Sequence, residues 1–332
     1  MGSGMKAPSL SALDLVLVNG DKTVRDAIEE SARLAQHLEK LDYVRIWYAE
    51  HHNMDSIASS ATSVLIGYIA SKTERIRVGA GGVMLPNHSP LVIAEQFGTL
   101  EWLYPGRIDL GVGRAPGTDQ MTLTALRRDN RAAERFPQDV ADLMTLLDDP
   151  KEGQLIQAVP GQGTKVPIYI LGSSLFGANL AAELGLPYAF ASHFAPQALY
   201  KATQIYREKY KPSERHPKPH LIIGMNAVVA EDADQAEELF ERQRREMALR
   251  LIGRRAKGIS PDHPALLESA IYRQVRSMLS KSAVGTPEQA ALRLIDLANE
   301  TQADEVMVVM NIDDEETRLR SFTLLAEAVR AF

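Results

Sequence analysis

The stretch Leu221–Val229, Leu-Ile-Ile-Gly-Met-Asn-Ala-Val-Val, is apolar at almost every position instead of at every second one. A strand with one face in water alternates apolar and polar residues, so a continuous apolar run indicates a strand covered on both faces. Such strands are parallel in α/β proteins, and helices cover both faces of their sheet. Leu221–Val229 therefore predicts a parallel sheet enclosed by helices.

Other apolar runs rich in Val, Ile and Leu have the same character, and stretches of helical periodicity separate them. In the first helical stretch Val24, Ile28 and Ala35 share one face, and Asp21 or Thr23 can cap its start. Strand–helix units that close on themselves form a (β/α)₈ TIM barrel, and a doubly wound open sheet is the alternative. The eight predicted strands are residues 12–18, 43–49, 76–83, 108–113, 168–171, 188–192, 221–229 and 305–310.

The domain organisation follows from the same pattern. We find no linker within residues 6–332 and predict a single barrel domain there, while residues 1–5, Met-Gly-Ser-Gly-Met, are interpreted as a cloning remnant. Residues 254–282 follow the seventh strand and are too many for an ordinary loop. We interpret them as an insertion that forms a mobile lid over the active site.

Composition limits the function classes. The 332 residues carry a net charge of −6, so nucleic acid and anionic membranes are poor candidates for partners. The chain has no cysteine, which excludes disulfides, thiolate metal sites and cysteine nucleophiles and fits a reducing compartment. No apolar stretch approaches the ~20 residues of a membrane span. We predict a cytoplasmic protein.

The pair His51 and His52, preceded by Glu50, follows the second predicted strand. Adjacent histidines suggest a metal, but helical metal ligands prefer a spacing of three or four, and the sequence shows no carboxylate cluster that completes the set. Consecutive residues at a strand end point in opposite directions. One histidine can therefore enter the site while the other packs, and an ordinary structural role remains open for both.

Two glycine-rich segments end the third and fourth predicted strands. Residues 79–86 contain three glycines, which indicates either tight packing inside the barrel or a flat ligand against bare backbone. Residues 111–117 resemble a dinucleotide-binding fingerprint, but Pro116 replaces the third glycine. Arg114 at this strand end is suited to bind a phosphate or carboxylate, although a solvated loop arginine is the alternative.

The segment Gly172-Ser173-Ser174-Leu175-Phe176-Gly177 lies between the fifth predicted strand and a helix. Small residues and hydroxyls at a helix start form an anion site, because free N–H groups and the helix dipole converge there. A plain helix cap is an equal alternative. The G-x-S-x-G hydrolase elbow and the P-loop pattern are absent from the sequence.

Segments at the predicted strand ends form an ordered set that spans nearly the whole chain. They are WYAEHH at 47–52, VGAGGVMLPNHSP at 78–90, YPGRIDLGVGR at 104–114, PIYILGSS at 167–174, LPYAFASH at 186–193 and VGTPE at 284–288. This set resembles the bacterial luciferase-like, flavin-dependent monooxygenases, and within them a poorly characterised, non-luminescent branch. The resemblance implies a (β/α)₈ barrel with reduced FMN across the C-terminal ends of the strands.

The resemblance also implies roles for individual residues. His51 corresponds to the catalytic histidine of the family, an acid or base beside the flavin C4a position. Gly81 and Gly82 correspond to a non-proline cis peptide behind the isoalloxazine ring. The residues implied as phosphate ligands are Arg114, Ser173, Ser174 and Gly177, with either Arg135 or Arg131 as a second arginine. No metal is implied.

The activity implied is that of a two-component monooxygenase. A separate flavin reductase supplies FMNH₂, O₂ adds to form a C4a-(hydro)peroxyflavin, and a small organic substrate is oxygenated. Gly113 stands where many luciferases carry a cysteine, which argues against light-emitting aldehyde chemistry. The residues proposed for the apolar wall of the site, each with a plain core role as the alternative, are Val83, Met84, Phe190 and Phe194.

Other interpretations remain open from sequence alone. An F420-dependent hydride-transfer enzyme uses the same barrel, and a flavin carrier without turnover is a second possibility. A metal-dependent hydrolase based on His51 and His52 is the most distant. The resemblance further implies a homodimer formed through the helices nearest strands two to four. It does not name the substrate.

Overall fold

The predicted barrel is present and closed in the structure, a computed structural model that describes residues 7–115, 119–256 and 258–332. The strands are β1 (Ser9–Asp14), β2 (Arg45–Tyr48), β3 (Arg77–Met84), β4 (Ile108–Gly113), β5 (Ile168–Gly172), β6 (Tyr188–Phe190), β7 (Leu221–Val229), β8 (Ser282–Gly285) and β9 (Glu305–Val309). Each of the strands β1 to β7 pairs with the next one in the sequence, including β6 with β7. Strand β9 pairs with both β7 and β1 and so closes the barrel. All pairings are parallel, and this closure rules out the doubly wound open sheet.

Helices cover the outside of the barrel. They are α1 (Val24–Lys40), α2 (Thr62–Ala70), α3 (Pro90–Leu103), α4 (Gln120–Ala125), α5 (Phe136–Leu147), α6 (Leu175–Leu184), α7 (Leu199–Lys209), α8 (Ala233–Ile252), α9 (Pro264–Leu267), α10 (Ala270–Met278), α11 (Pro287–Thr301) and α12 (Glu315–Arg330). Thr23 caps α1 and Thr286 caps α11, each through a capping box. None of the helices in the described ranges has both the length and the apolar character needed to cross a membrane.

Two strand assignments differ from the sequence-based prediction. The first strand ends at Asp14, not residue 18, because the Asp14 carboxylate accepts a hydrogen bond from the Val16 N–H (3.1 Å) and the chain turns there, with Val16 at a φ of 53°. Strand β8 was not predicted. It lies outside the barrel and pairs with the C-terminal half of β7, from Asn226 opposite Ser282 to Val229 opposite Gly285.

The insertion after β7 is packed against the barrel. Helices α9 and α10 contact α8, and together with β8 they enclose a small core separate from the main one. Its buried members include Val228, Phe240, Leu266, Tyr272 and Val275. Residues 1–5, which the sequence led us to interpret as a cloning remnant, lie outside the described residues. The function of the insertion as a lid stays a prediction.

Alternate residues of the strands fill the barrel interior. The apolar layer in the middle of the barrel contains Trp47 of β2, Tyr169 of β5 and Met307 of β9. The Trp47 and Tyr169 rings meet edge to face with their centroids 4.9 Å apart. The opposite faces of the strands, with Ile46, Val78 and their equivalents, pack against the helices.

Below this layer, at the N-terminal ends of the strands, lies a buried charged network centred on Arg45. The Arg45 guanidinium donates to Asp109 Oδ2 (2.7 Å) and to Glu305 Oε1 (2.9 Å). It also donates to the Tyr169 hydroxyl (2.6 Å), and Arg77 pairs with the second oxygen of Asp109 (2.5 Å). The network therefore cross-links β2, β3, β4, β5 and β9 at one end of the barrel.

Replacement of Glu305 by Gln tests the energetic role of this network. We expect the free energy of unfolding to fall by about 3 kcal/mol, because Arg45 stays buried with one partner charge removed. The matched control is Glu315→Gln, which breaks the exposed pair with Arg33 and should cost less than about 1 kcal/mol. Urea unfolding at pH 7 measures both losses, and two small, equal losses would contradict the assignment.

The same comparison predicts a pH dependence. Burial raises the pKa of Glu305, but Arg45, His220 and Ser11 together lower it to a value below the usual 4.5. A carboxyl group with a lowered pKa in the folded state stabilises the fold above its unfolded-state pKa and loses that effect as the pH falls. The stability difference between wild type and Glu305→Gln should therefore shrink below about pH 4.

Candidate active site

His51 continues the inward-facing series of β2 at the C-terminal mouth of the barrel. Arg45, Trp47 and Ala49 face the interior, and the alternation brings His51 to the same side. Two hydrogen bonds hold its backbone: its N–H donates to the Ser59 carbonyl (3.1 Å), and the Ser60 hydroxyl donates to its carbonyl (2.7 Å). Burial lowers the pKa of His51 although the neighbouring Glu50 carboxylate opposes the shift. The imidazole is therefore neutral at pH 7.

Glu50 points away from the barrel axis and joins two histidines. Its Oε1 accepts hydrogen bonds from His52 Nε2 and His88 Nε2, both at 2.8 Å, and its Oε2 accepts the Met84 N–H at 3.3 Å. Burial raises the pKa of Glu50, but the two histidines outweigh this effect and lower it to about 2. His51 thus lies at the mouth of the barrel and His52 packs against Glu50, as the alternation of side chains along a strand predicted.

Glu50 and His52 form a cluster with a third residue that the sequence did not indicate. Glu50, His52 and His88 offer three possible metal-ligand atoms that all lie within 4.8 Å of one another. His88 comes from the loop after β3, 36 residues after His52 in the chain, so spacing gave no signal. Hydrogen bonds account for Glu50 without a metal, and the trio does not include His51.

The glycines of β3 are needed for close packing. The peptide bond between Gly81 and Gly82 is cis, as the resemblance implied. A Cβ at Gly81 would lie 2.9 Å from both Leu13 Cδ1 and Trp47 Cβ, and a Cβ at Gly82 would lie 2.7 Å from the Gly111 carbonyl oxygen. These distances are shorter than real contacts between atoms allow. On at least one face of β3, the glycines are therefore needed for tight packing inside the barrel.

Arg114 follows β4 and lies beside the start of α6. Its guanidinium carbon is 4.0 Å from the centroid of the Phe176 ring, a cation–π contact. It forms no ion pair or hydrogen bond with any residue that the structure describes. Pro116 and Gly117 of the same loop lie outside the described residues. The structure therefore brings Arg114 and the serine loop together.

The loop before α6 has free hydrogen-bonding capacity. Ser174 is the N-cap residue of α6, but its hydroxyl makes no capping hydrogen bond. Gly177 is close to the Tyr188 ring, where a Cβ would lie 3.2 Å from Cε2, and the Tyr188 hydroxyl donates to the Ser174 carbonyl (3.2 Å). Ser173 is half-buried beside them. A positive helix end converges at this point with two hydroxyls and an arginine that have no hydrogen-bond partner among the residues described.

Neither candidate for the second phosphate arginine contacts Arg114 within the described part of the chain. Arg131 pairs with Asp129 (3.1 Å), and Arg135 pairs with Asp139 (3.6 Å). Both line an open depression of about 480 Å³ outside the mouth, together with Arg127 and Arg128. The structure leaves the choice between Arg131 and Arg135 as a prediction.

His193 is a mouth residue to which the sequence analysis gave no role. It follows β6 and faces His51, whose charge contributes, after burial, to lowering the pKa of His193 to about 4. Its Nδ1 is buried and finds no hydrogen-bond partner among the residues that the structure describes. The segment 186–193 carried part of the resemblance, but a histidine after an apolar run has no spacing that marks it as functional.

Two of the four residues proposed for the apolar wall are plain core residues. Val83 and Phe190 are buried between the sheet and the helices. Phe194 is 40% exposed and packs edge-on against His193, and Met84 is half-buried with its sulfur near Gly113. A Cβ at Gly113 would meet nothing nearer than Met84 Sδ at 3.5 Å, so this position leaves space.

Comparison with known proteins identifies the family. The sequence profile described as luciferase-like monooxygenase matches residues 13–305. A protein of Escherichia coli (strain K12) named luciferase-like monooxygenase is 47% identical over 96% of both chains. An N-acetyl-S-alkylcysteine monooxygenase of Bacillus subtilis (strain 168) is 32% identical over 97% of this chain and 98% of its own.

Solved structures agree with the fold. The crystal structure of apo-MsnO8 superposes with a TM-score of 0.83 at 33% identity and covers 98% of each chain. The oxygenating constituent of 3,6-diketocamphane monooxygenase in complex with FMN has a TM-score of 0.72 at 16% identity, covering 97% of this chain and 98% of its own. An F420-dependent secondary alcohol dehydrogenase has a TM-score of 0.68 at 16% identity, covering 98% of this chain and all of its own (100%). At such low identity the last two demonstrate the fold alone.

The extent of the profile match, the identity to full-length relatives and the ordered residues at the barrel mouth agree. This chain belongs to the luciferase-like monooxygenase family.

Proposed function

We propose that the protein is an FMN-dependent monooxygenase of the two-component type, which receives reduced FMN from a separate flavin reductase and oxygenates a small organic substrate. The observation that carries the proposal is Arg114, which lies on the Phe176 ring at the N-terminus of α6 and forms no ion pair within the described part of the chain. A structural neighbour in complex with FMN supports the same cofactor. The absence of cysteine fits a protein that acts in the cytoplasm.

Electrostatics favour the binding of a phosphate between Arg114 and the N-terminus of α6. The N-terminus of α6 carries a partial positive charge, and the Arg114 guanidinium lies beside it without a compensating anion among the described residues. Two positive groups repel each other unless an anion lies between them. Free N–H groups of the first helical turn, the Ser173 and Ser174 hydroxyls and the arginine fork together match the oxygens of a phosphate.

The residues of the mouth have separate tasks in this proposal. Arg114, Ser173, Ser174 and Gly177 bind the phosphate end, and bound reduced flavin supplies the electrons for O₂ activation. His51, uncharged at pH 7, accepts or returns a proton beside the ring. The insertion at residues 254–282 acts as a lid that limits the access of water.

An F420-dependent hydride transfer is the second candidate, because a structural neighbour of the same fold uses that deazaflavin. The phosphate group of F420 would bind at the same N-terminus of α6. Titration of the protein with FMN, FMNH₂ and F420 separates the two candidates. Oxygen consumption is then measured with aldehydes, alkanes, sulfonates, aromatic compounds and S-alkylcysteine derivatives, the last because of the Bacillus subtilis relative.

A homodimer is proposed from an apolar surface on the helices after β2 and β3. Val64 of α2 is 73% exposed and Val92 of α3 is 44% exposed, and Trp102 and Leu103 at the end of α3 are also exposed. Exposed apolar side chains of this size on two helices in contact are typical of protein–protein interfaces. A second copy of the chain that covers α2 and α3 matches the dimer implied by the family.

Replacement of Arg114 by Ala tests the phosphate assignment. FMN binding should weaken by about 1.5–3 kcal/mol, the contribution of a charge-assisted contact. Riboflavin lacks the phosphate, so its affinity should be the same for both proteins. Fluorescence titration with both ligands measures this difference, and Arg320→Ala, which breaks an exposed ion pair with Glu231, is the control. An equal loss for riboflavin and FMN would place Arg114 elsewhere than at the phosphate.

Replacement of His51 by Ala tests its chemical role. FMN affinity should stay within about threefold, because the phosphate supplies most of the binding, whereas turnover should fall by about a hundredfold or more. In the wild type, turnover should decline only below pH 6.5, since the pKa of His51 is lowered and its neutral form acts. Steady-state kinetics with His216→Ala as control measure this. A collapse of FMN binding would mean that His51 is structural.

Replacement of Val64 by Glu tests the dimer. A charge in an apolar interface should shift the protein toward monomer, because the carboxylate would be desolvated without a partner. Val24→Glu on α1, where the valine is 53% exposed, is the matched control and should leave the mass unchanged. Light scattering after size-exclusion chromatography measures both variants. Identical masses for both and for wild type would exclude this surface.

A further inference from the structure

His193 has an environment that the proposed function does not use. It follows β6 at the barrel mouth, faces His51, and packs edge-on against Phe194 with ring centroids 4.9 Å apart at 82°. The interior below it belongs to the apolar layer that includes Ile222 and Ala189. A polar ring therefore lies at the boundary between the packed barrel and the open mouth.

Gly224 of β7 provides the surface on which the ring lies. A Cβ at this position would be 2.2 Å from His193 Nδ1 and 3.2 Å from both Cγ and Cε1. No side chain can be accommodated at such distances without displacement of the ring. The Ser192 hydroxyl donates to the Gly224 carbonyl (2.6 Å) and fixes the end of β6 against β7. Glycine at 224 is therefore required for the observed position of His193.

The ring position determines where the imidazole proton lies. Nδ1 is buried on Gly224 and has no hydrogen-bond partner in the described ranges of the chain. A proton on Nδ1 would leave a buried donor unsatisfied, which is costlier and rarer in proteins than an acceptor with a free lone pair. The proton therefore belongs on Nε2. This atom is across the ring from the Gly224 contact, has no partner among the described residues and is not among their buried unpaired atoms.

We propose that His193 is a second active-site histidine, whose Nε2–H donates a hydrogen bond to an acceptor oxygen of the reactant bound between His193 and His51. The inference deepens the proposed function and rests on it, because the flavin or its substrate supplies that oxygen. His193 keeps its proton throughout, while His51 accepts and returns one. The two histidines thus have complementary tasks at one site.

Two side chains behind the ring hold His193 in place. Asn226 of β7 donates from Nδ2 to the His193 carbonyl, and Gln243 of α8 approaches Asn226 Oδ1 at 3.5 Å. Both are almost fully buried. They fix the backbone of His193 and leave its ring nitrogen free, as expected for a donor that is preorganised for a ligand. The pKa of His193, lowered to about 4 by burial and by His51, keeps the ring neutral under assay conditions.

Nitrogen NMR of ¹⁵N-histidine-labelled protein tests the proton position without any ligand. We expect the Nε2–H tautomer for His193 and no titration between pH 5.5 and 8, with free imidazole in the same buffer as the reference. An Nδ1–H tautomer, or titration near the value of a free histidine, would overturn the inference. The His193→Gln spectrum assigns the signal.

Addition of FMN to the labelled protein, followed by the substrate found in the oxygen assay, distinguishes the two sources of the oxygen. A shift of the Nε2 signal with FMN alone identifies a flavin oxygen, and a shift only after the substrate identifies a substrate oxygen. Both support the inference. No shift with either ligand would overturn it.

Kinetics of matched variants test the donor. Gln places an amide N–H near the position of Nε2 and Asn places one near Nδ1, so His193→Asn should lower kcat by about tenfold or more and His193→Gln by clearly less. Gly224→Ala should resemble His193→Asn, and in the His193→Asn background it should add little further loss. His216→Asn, at the opposite end of the barrel and without a side-chain hydrogen bond, is the control. Equal rates for Asn, Gln and wild type would overturn the inference.

Failure of the inference and failure of the proposed function have different signatures. If the protein binds no flavin, the proposed function is wrong, while the tautomer and the titration of His193 still report on the ring itself. If flavin binds and Arg114→Ala weakens it, but the His193 variants keep wild-type kcat, only the role of His193 is wrong.

Discussion

The ion pairs of Arg45 with Asp109 and Glu305 at the N-terminal end of the barrel set the register for the rest of the structure. Buried charges tolerate few arrangements, because a missing partner leaves an uncompensated charge in a medium of low dielectric constant. Arg45 therefore holds β2 at one height relative to β4 and β9. His51 lies six residues further along the chain, beyond the end of β2 at Tyr48, and on the same side. The charged network at the N-terminal end of the barrel thus determines which side chain after β2 lies at the C-terminal end.

The polar groups at the two ends of the barrel differ in whether they have hydrogen-bond or ion-pair partners. At the N-terminal end the charged groups are paired with one another, as Glu305 is with Arg45, His220 and Ser11. At the C-terminal end Arg114 lacks an anion within the described residues, the Ser174 hydroxyl caps nothing, and His193 Nδ1 has no partner. Unsatisfied groups reduce stability, and at the mouth a bound ligand would supply the missing contacts.

The sequence was sufficient for the barrel because its strands are continuous apolar runs of the right spacing, and the period of two sends His51 inward and His52 outward. It was not sufficient to predict β8, a four-residue strand that pairs, among the described strands, with the end of β7 alone. The association of His88 with Glu50 and of His193 with Gly224 depends on neighbouring loops and strands that are distant in the chain. Such contacts have no local periodicity, so pattern analysis of one sequence cannot reveal them.

Asn226 is the residue at which the insertion and the mouth meet. Its backbone pairs with Ser282 of β8 on one side and with Val309 of β9 on the other. Its side chain supports the His193 carbonyl and is approached by Gln243 of α8. Since α8 and β8 contribute to the small core that packs around the insertion, the position of His193 is connected through Asn226 to the packing of that core.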